Sequence, residues 1–435
     1  MKKVLLISMI MVVSILSVAE KVTITYVNWN LGLDIEKAMV QEFMKLYPNI
    51  EVKIVTAEGN YEDWLIAQAA AGKLPDVIMI PNIPMALTND WALDLTKMAL
   101  ADPEWKNIPA PIRNATVYNN RIYAVPAGFY FMGYFVNDDL FDKYNVKPLK
   151  FAPTWNEFLT AVKKLTIPKD GIIGLAEEVQ IPEWYPAMKN LRLGWYTWDG
   201  KQYNLDDPSF IEAVNIAKQL WQGKYVYDAL PDEQKKQYNA GWYGDVWNQG
   251  KIAIRWSGTW DTPSFSTLPF KSRFIGVPGG RIPVVGDFFV ISKTTKYPNE
   301  AFMFAKFVTY GKEGILKRLE LDKKNEWSSM PLTTEKAVVE KYFSVKKLYP
   351  GLDEAYAKVS SGIIEGVKIV PGYIQSRWTA PTGIKVGDNP NANIGDVIWN
   401  AMRGPVNIAD YAKQLNKIAN EQYQNAIKKI SIMTK

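Results

Sequence analysis

The chain has 435 residues, with 51 Lys and Arg against 45 Asp and Glu, and it contains neither His nor Cys. The lack of Cys excludes disulfides, thiolate nucleophiles, Cys-ligated zinc and iron–sulfur clusters. The lack of His excludes a Ser-His-Asp triad, an HExxH metal site and an imidazole base. An apolar fraction of 48% and a charged fraction of 22% are typical of a folded chain, and the length suggests two to three domains of about 150 residues each.

The first residues differ in composition from the rest of the chain. Lys2 and Lys3 precede an apolar stretch over 4–18, and small residues come just before a possible cleavage point after Ala19. This pattern predicts a secretory signal peptide over residues 1–19. A membrane anchor is the alternative, but the apolar run is shorter than the about 20 residues that a spanning helix needs. Removing Lys2 and Lys3 leaves a formal net charge of +4, too small and too scattered to indicate nucleic-acid binding.

Strand and helix patterns then alternate over some sixty residues. They predict strands over 22–27, 50–55 and 76–80, and helices over 34–46 and 64–71. This order is typical of βαβ units on a parallel sheet that is covered by helices on both faces. Ligands bind beyond the carboxyl ends of such strands. The candidate residues there are Trp29, Asn30, Glu58, Asn60 and Asn82.

The middle of the chain carries further element signatures. Strands are predicted over 120–126, 131–137, 252–256 and 288–291, and an amphipathic helix over 299–310. Another helix should begin after Thr154, with Thr154 as N-cap and Glu157 completing a capping box. We expect Trp155 and Phe158 on that helix, and Trp399 and Tyr411 further on, to be core residues because of their apolar spacing. The pairs Lys323-Lys324 and Lys346-Lys347 are interpreted as solvated surface.

Nine segments, taken in order, resemble the extracellular solute-binding proteins of ABC importers. The resemblance is to the carbohydrate-type group that contains maltose-binding protein. The segments are FMKLYPNIEV at 43–52, AGKLPDVI at 71–78, LDLT at 93–96, RIYAVP at 121–126, YFVNDDLF at 134–141, PTWNEF at 153–158, GKIAI at 250–254, SGTW at 257–260 and PNEAFMFAKFV at 298–308. Each motif alone is weak evidence for this resemblance, whereas the ordered set behind a signal peptide is strong evidence.

The resemblance implies an α/β, two-lobed periplasmic-binding-protein fold. Each lobe would be a mostly parallel sheet flanked by helices, with the ligand in the cleft between the lobes. The implied boundaries are 20–127 plus 287–328 for the N-terminal lobe and 132–284 plus 331–435 for the C-terminal lobe, with hinge crossings near 127–132, 284–287 and 325–331. Hinges of a few residues would let the lobes close on a ligand, and the importer would sense that closure.

A sugar presents apolar C–H faces, which stack on aromatic rings, and a rim of hydroxyls, which need polar partners. Trp260 follows the Ser-Gly-Thr turn at the place where family members carry a sugar-stacking aromatic residue. Trp184 and Tyr185 lie in a segment that resembles the family's aromatic cleft loop. Trp378 falls in a region that carries another stacking residue, although the local pattern departs from that of the family.

Four further residues are candidates for the cleft. Phe129 and Tyr130 at the first crossing either line the cleft or pack the hinge. Asp261 and Asp287 are candidate acceptors for sugar hydroxyls. The resemblance thus implies a periplasmic receptor, free of a lipid anchor because the chain has no Cys, that delivers a carbohydrate, most simply an oligosaccharide, to the permease subunits of an ABC transporter. Such a receptor is a monomer in most family members, and it needs no cofactor, metal or catalytic residue.

Two other functions stay open at this point. A secreted glycoside hydrolase would need two carboxylates about 5 to 9.5 Å apart, yet Glu177-Glu178 and Asp138-Asp139 are interpreted as a helix surface and a helix start. The same fold could instead bind glycerol phosphate, a polyol or a peptide. A phosphate would need cations in the cleft, and the candidates are Arg255, Arg281 and Arg377. The sequence leaves the identity, length and linkage of the sugar open.

Overall fold

The computed structural model describes residues 21–434, so the predicted signal peptide over 1–19 lies outside the described residues. The strands are β1 Val22–Val27, β2 Ile50–Ile54, β3 Val77–Ile80, β4 Val117–Tyr118, β5 Arg121–Ile122, β6 Val125–Asn137, β7 Ile173–Leu175, β8 Ile252–Gly258, β9 Ser272–Phe274, β10 Ile282–Ile291 and β11 Gly362–Ile364. The helices of the first half are α1 Asp34–Leu46, α2 Tyr61–Ala70, α3 Ile83–Thr88, α4 Thr96–Ala101, α5 Ala110–Asn114, α6 Asp138–Lys143, α7 Trp155–Lys164, α8 Ile181–Lys189 and α9 Pro208–Gln222. Those of the second half are α10 Asp232–Lys236, α11 Tyr243–Asn248, α12 Thr262–Phe265, α13 Pro298–Val308, α14 Lys312–Leu321, α15 Lys336–Val345, α16 Leu352–Tyr356, α17 Gly366–Ile369, α18 Ile394–Arg403 and α19 Ile408–Met433.

One sheet passes through the whole molecule in the order β2-β1-β3-β10-β6-β8-β7, with β11 beside β10 and β9 beside β6. Strand β1 pairs parallel with β2 and β3, and β7 pairs parallel with β8. The long strands β6 and β10 are antiparallel to each other, and they join the two parallel groups through antiparallel pairings with β8 and β3. The predicted α/β class and the parallel order of the first three strands are confirmed.

Strand β6 exchanges partners along its length. Its first part, from Val125 to Phe131, pairs with β10, and its second part, from Met132 to Val136, pairs with β8. The sequence predicts two strands here, interrupted by the small residues Ala127 and Gly128. The structure contains one strand of 13 residues, because small residues fit a strand that is covered on both faces.

Local capping follows the sequence closely. Thr154 and Glu157 form the predicted capping box at the start of α7. The side chains of Asn60 and Asn82 accept hydrogen bonds from the N–H groups of Asp63 and Met85, so they cap α2 and α3. These bonds satisfy N–H groups that an α-helix leaves unpaired at its beginning. Asn82 therefore has a structural role at the end of β3 whether or not it contacts a ligand.

Four predictions about exposure are wrong. Lys346 is buried and forms an ion pair with the carboxylate of Asp322 at 2.6 Å, so it is not part of a solvated face. Glu177 and Glu178 are buried after β7, where the sequence suggested a helix surface. Trp399 is 48% exposed, although its helical spacing predicted a core position. For Lys346 and Glu178 the deciding contact comes from another segment, Asp322 for Lys346 and Arg403 for Glu178.

The buried apolar side chains form two clusters. The smaller cluster lies around α7, α8, α9 and α18 and includes Phe158, Trp184 and Phe210. The larger cluster surrounds β1, β3, β10 and α13, and it continues past Phe131 to residues such as Phe135 and Trp247. None of the helices in the described part of the chain is long and apolar enough to cross a membrane.

Strand β7 packs against α7 through a glycine. A Cβ atom added to Gly174 would lie 2.0 Å from the carbonyl oxygen of Val162 and 2.5 Å from the hydroxyl of Thr166. The contact is with helix backbone, which cannot rotate away as a side chain can. The close approach of α7 therefore requires glycine at this position.

We expect Gly174→Ala to lower the free energy of unfolding by about 1 to 3 kcal/mol, the usual cost of forcing atoms into a filled core. The measurement is chemical or thermal unfolding. Gly32→Ala is the matched control, because nothing lies within 4 Å of a Cβ added there. Equal unfolding midpoints for the two variants would contradict the packing argument.

Candidate ligand-binding cleft

The carboxyl ends of the two parallel groups face each other along β6. Ile80, the last residue of β3, is level with Phe288 of β10 and through it with Pro126 of β6. Gly258, the last residue of β8, is level with Met132 of β6. Met132 follows Pro126 by six positions, which is about 20 Å along a strand. The two sets of strand ends therefore border a cleft whose floor is the middle of β6 and β10.

A cavity of about 170 Å³ lies on this floor. Its walls come from the segment after β1, from β6 and β10, from α14 and from the segment 326–330. Of the sequence-predicted residues it brings together Asn30, Tyr130, Trp260 and Asp287. The cavity thus joins groups from both sides of the cleft.

Trp260 is the aromatic wall of this cavity. Its ring lies over Gly258, where an added Cβ would be 2.1 Å from ring atoms, and 42% of the residue remains exposed. The Trp260 ring also contacts the ring of Tyr130 edge-on, with 5.8 Å between centroids. The neighbouring Asp261 carboxylate accepts a hydrogen bond from the Ser257 hydroxyl at 2.5 Å.

Tyr130 offers a hydroxyl to the cavity. Burial of the ring, with the nearby charge of Asp287, raises the pKa of Tyr130 to about 12. The group is therefore protonated at neutral pH. A phenol in this state can both donate and accept a hydrogen bond, which suits a neutral hydroxyl on a ligand.

The Asp287 carboxylate and the Trp29 ring both contact the ammonium group of Lys368. The Lys368 ammonium lies 3.0 Å from the Asp287 carboxylate and 5.3 Å from the centroid of the Trp29 ring. Trp29 also contacts Tyr61 edge-on. Lys368 belongs to α17, so this cation ties a late segment of the chain to the residues that follow β1.

Sequence reasoning missed a pair on the opposite wall. The Arg318 guanidinium is buried, forms an ion pair with Glu36, and donates to the carbonyl of Val308 at 2.9 Å. The Trp327 ring packs on it, with 5.6 Å between the guanidinium carbon and the ring centroid. Glu36 and Arg318 are 282 positions apart, and no local motif marks either residue.

Other predicted residues lie elsewhere. Trp184 is fully buried and Tyr185 nearly so, within the smaller core next to Trp155, and the Tyr185 hydroxyl donates to Glu212 at 2.7 Å. Phe129 is fully buried against Phe131 and Tyr356. The structure brings none of these three predicted residues to the cavity, because their rings fill space between packed helices and strands.

The last two predicted residues, Asn82 and Trp378, lie to the side of the cavity. Asn82 lines a second hollow of about 450 Å³ between α3 and the residues around Val370 and Tyr373. Trp378 is 48% exposed, and its ring rests against Gly395 at the start of α18. Within residues 21–434, no group of three acidic side chains is arranged to hold a metal ion.

Comparisons with known proteins agree with this geometry. Residues 31–309, well over half of the chain, match the family described as bacterial extracellular solute-binding protein. An uncharacterized ABC transporter extracellular-binding protein of Pyrococcus horikoshii is 24% identical over 306 residues, covering 64% of this chain and 66% of the relative. The multiple sugar-binding protein of Streptococcus mutans is 26% identical over 313 residues, covering 67% of this chain and 71% of the relative. The chain thus spans about two thirds of the length of these relatives.

Solved structures share the fold. A cyclo/maltodextrin-binding protein complexed with maltotetraose matches with a TM-score of 0.69 at 17% identity, covering 92% of this chain and 97% of that one. An ABC substrate-binding protein of Listeria monocytogenes in complex with cycloalternan matches with a TM-score of 0.64 at 21% identity, covering 95% and 99%. Both are two-lobed binding proteins. The chain therefore belongs to the family of bacterial extracellular solute-binding proteins.

Proposed function

We propose that this protein is a receptor that binds a neutral carbohydrate, most simply an oligosaccharide, and delivers it to the permease of an ABC importer. The observation that carries the proposal is the cavity at the facing strand ends, where the exposed Trp260 ring stands beside the hydroxyl of Tyr130 and the carboxylate of Asp287. A ring for C–H faces beside hydrogen-bonding groups is what a sugar needs. The names of the similar proteins support the same ligand class.

The charges favour a neutral ligand over a phosphorylated one. The cavity is lined by the carboxylates of Glu36, Glu326 and Asp287, of which Glu36 pairs with the Arg318 guanidinium and Asp287 with the Lys368 ammonium. A phosphate would have to compete with a carboxylate for either cation. The glycerol-phosphate alternative is therefore less well supported.

The three arginines suggested as phosphate ligands have partners within the protein. Arg281 donates to the carbonyls of Ala187 and Leu193. Arg377 pairs with Glu183 at 2.5 Å. The Arg255 guanidinium lies 3.9 Å from Asp261. Recruiting any of them to an anion would mean breaking or weakening these contacts.

We further propose the lobe division 20–127 plus 287–328 and 132–284 plus 331–435. The change of partner on β6 between Phe131 and Met132 supports the first crossing, and the irregular register at Asp287 supports the second. For the third crossing, Met330 donates to the carbonyl of Phe129 at 3.1 Å. The larger apolar core continues past Phe131 without a break. Any bending of one lobe relative to the other would therefore be confined to a few residues at each crossing.

The absence of catalysis, the monomeric state and the periplasmic location are part of the same proposal. The carboxylates considered for glycoside hydrolysis are engaged elsewhere: Glu177 accepts from the Tyr243 hydroxyl at 2.7 Å, and Glu178 pairs with Arg403 at 2.6 Å. A binding protein that closes on its ligand needs no proton transfer. Membership of an extracellular family supports an exported receptor.

A thermal-shift screen tests the ligand class directly. We expect maltotetraose, raffinose or a related neutral oligosaccharide to raise the melting temperature, since a ligand at 100 times its Kd stabilises the folded state by about 2.7 kcal/mol. Glycerol 3-phosphate at the same concentration serves as the anionic comparison. A shift with glycerol 3-phosphate and with none of the sugars would contradict the proposal.

Trp260→Ala should weaken binding of the sugar found in that screen by about tenfold or more, since each 1.4 kcal/mol of lost stacking and burial is a factor of ten in Kd. Titration calorimetry measures the change. Trp260→Phe, which keeps a smaller ring, should lose less. Leu100→Ala, at an exposed apolar residue away from the cleft, is the control and should bind like the unsubstituted protein. Unchanged affinity in Trp260→Ala would remove this residue from the site.

A carboxyl group next to the cleft titrates near neutral pH. Glu365 directly follows β11, and burial together with the charges of Glu183 and Asp287 raises its pKa to about 7, against the opposing effects of Lys368 and Arg377. An unfolded Glu has a pKa of about 4.3. The folded state therefore binds more protons than the unfolded state between these values, and stability falls as pH rises through that window.

We expect the melting temperature of the protein to fall between about pH 5 and pH 7.5 more steeply than that of Glu365→Gln, whose neutral amide carries no charge at either pH. Differential scanning fluorimetry across this range measures the slopes. Glu354→Gln, at an exposed glutamate, is the control and should keep the slope of the unsubstituted protein. Parallel profiles for all three proteins would show that Glu365 is not the responsible group.

A further inference from the structure

Three exposed tryptophan side chains, those of Trp242, Trp260 and Trp378, each pack against a glycine. Each ring lies against a glycine: an added Cβ would be 2.1 Å from the Trp260 ring at Gly258, 2.2 Å from the Trp242 ring at Gly244, and 2.5 Å from the Trp378 ring at Gly395. Each residue is still 42 to 49% exposed. Part of each ring thus packs closely against a glycine while much of the residue remains open.

Trp242 is linked by side-chain contacts to the residues beside Trp260. Asp261, next to Trp260, lies 3.9 Å from the buried Arg255 guanidinium. The same guanidinium lies behind the Trp242 ring, 5.4 Å from its centroid. The neighbouring Tyr243 hydroxyl donates to Glu177. Trp242 is therefore linked to Asp261, the neighbour of Trp260, through the buried guanidinium of Arg255.

A second set of side-chain contacts leads to Trp399. Glu178, beside Glu177, holds the Arg403 guanidinium through two oxygens at 2.6 and 3.3 Å. The Trp399 ring covers this guanidinium at 3.9 Å, and Trp221 lies against it at 4.3 Å. Trp399 follows Gly395, the seat of Trp378, by one turn of α18, which is about 6 Å along the helix. Trp399 is therefore held in place by a buried ion pair and stands in line with Trp378.

We propose that Trp242 and Trp399 form stacking surfaces for additional rings of a neutral oligosaccharide that begins in the cavity beside Trp260. The inference rests on the proposed function and deepens it by assigning residues that select for ligand length. A cavity of about 170 Å³ is smaller than the about 300 to 1,000 Å³ of typical ligand pockets. It therefore holds only part of an oligosaccharide, and the remainder must lie on the adjoining surface.

The chemistry of this surface suits sugar hydroxyls rather than an anion or an apolar partner. Each arginine beneath the rings has a carboxylate partner, Asp261 for Arg255 and Glu178 for Arg403. The positive charges beneath the rings are thus balanced within the protein. A pyranose offers the matching combination of apolar face and hydroxyl rim.

Ligand length provides the test. Titration calorimetry compares disaccharides with tetrasaccharides that contain them: maltose with maltotetraose, xylobiose with xylotetraose, and sucrose with stachyose. The proteins are the unsubstituted chain, Trp242→Ala, Trp399→Ala, Gly244→Ala and Trp260→Ala. Gly244→Ala keeps every aromatic side chain and places a stronger helix former in α11, but its new methyl group must displace the Trp242 ring. It therefore tests the seating of the ring without removing the ring.

We expect the unsubstituted protein to bind at least one tetrasaccharide more tightly than its disaccharide. Trp242→Ala, Trp399→Ala and Gly244→Ala should each weaken that tetrasaccharide at least fivefold and change the disaccharide less than twofold, whereas Trp260→Ala should weaken both. Equal losses at the two lengths, no loss, or no preference for length would overturn the inference and leave the proposed function standing. If none of these sugars binds the unsubstituted protein, the proposed function fails, and this inference fails with it.

Discussion

The antiparallel pairing of β6 with β10 determines where everything else in the cleft lies. All ten residues of β10 are buried, and in such a setting every backbone N–H and C=O needs a partner. The ladder runs from Val284 opposite Phe131 to Phe289 opposite Val125, so its register fixes the level at which β3 and β8 end. The cleft floor is the stretch of ladder left between those two ends. A slip of one residue would turn every side chain on it to the opposite face.

Buried ion pairs hold separate segments against this ladder. Glu36 of α1 pairs with Arg318, Asp287 of β10 with Lys368, and Asp322 with Lys346. Removing charges from water is costly, and a buried pair with good geometry roughly offsets that cost, whereas a single buried charge does not. Removing one partner of any of these pairs would therefore be strongly destabilising, because it would leave a single charge with little access to water. Together they determine which late segments of the chain stand beside the residues that follow β1.

Much of the fold could be predicted from local sequence patterns. Strands and helices such as Val22–Val27 and Asp34–Leu46 are determined mainly by residues that are close together in the sequence. Trp260 could be predicted near the cleft because the SGTW motif coincides with the end of β8. Trp184 and Trp399 show the limit: both have aromatic side chains in apolar patterns, yet one is fully buried and the other half exposed. That difference arises from packing between helices far apart in sequence. The ion pair of Glu36 with Arg318 could not be predicted for the same reason. Its residues are 282 positions apart, and no local sequence pattern marks them.

The seating of exposed rings on glycine explains how such a cleft can keep large apolar side chains open to water without losing their orientation. A free tryptophan on a surface samples several rotamers, and a ligand that orders it must overcome that entropy. Trp260 and Trp242 pack against Gly258 and Gly244, two residues away in each case. Trp378 packs against Gly395 from another segment, so this arrangement does not depend on one sequence motif. In the proposed stacking role, a ring that is already oriented would leave more of the stacking free energy available for affinity, and the glycine would then matter as much as the tryptophan.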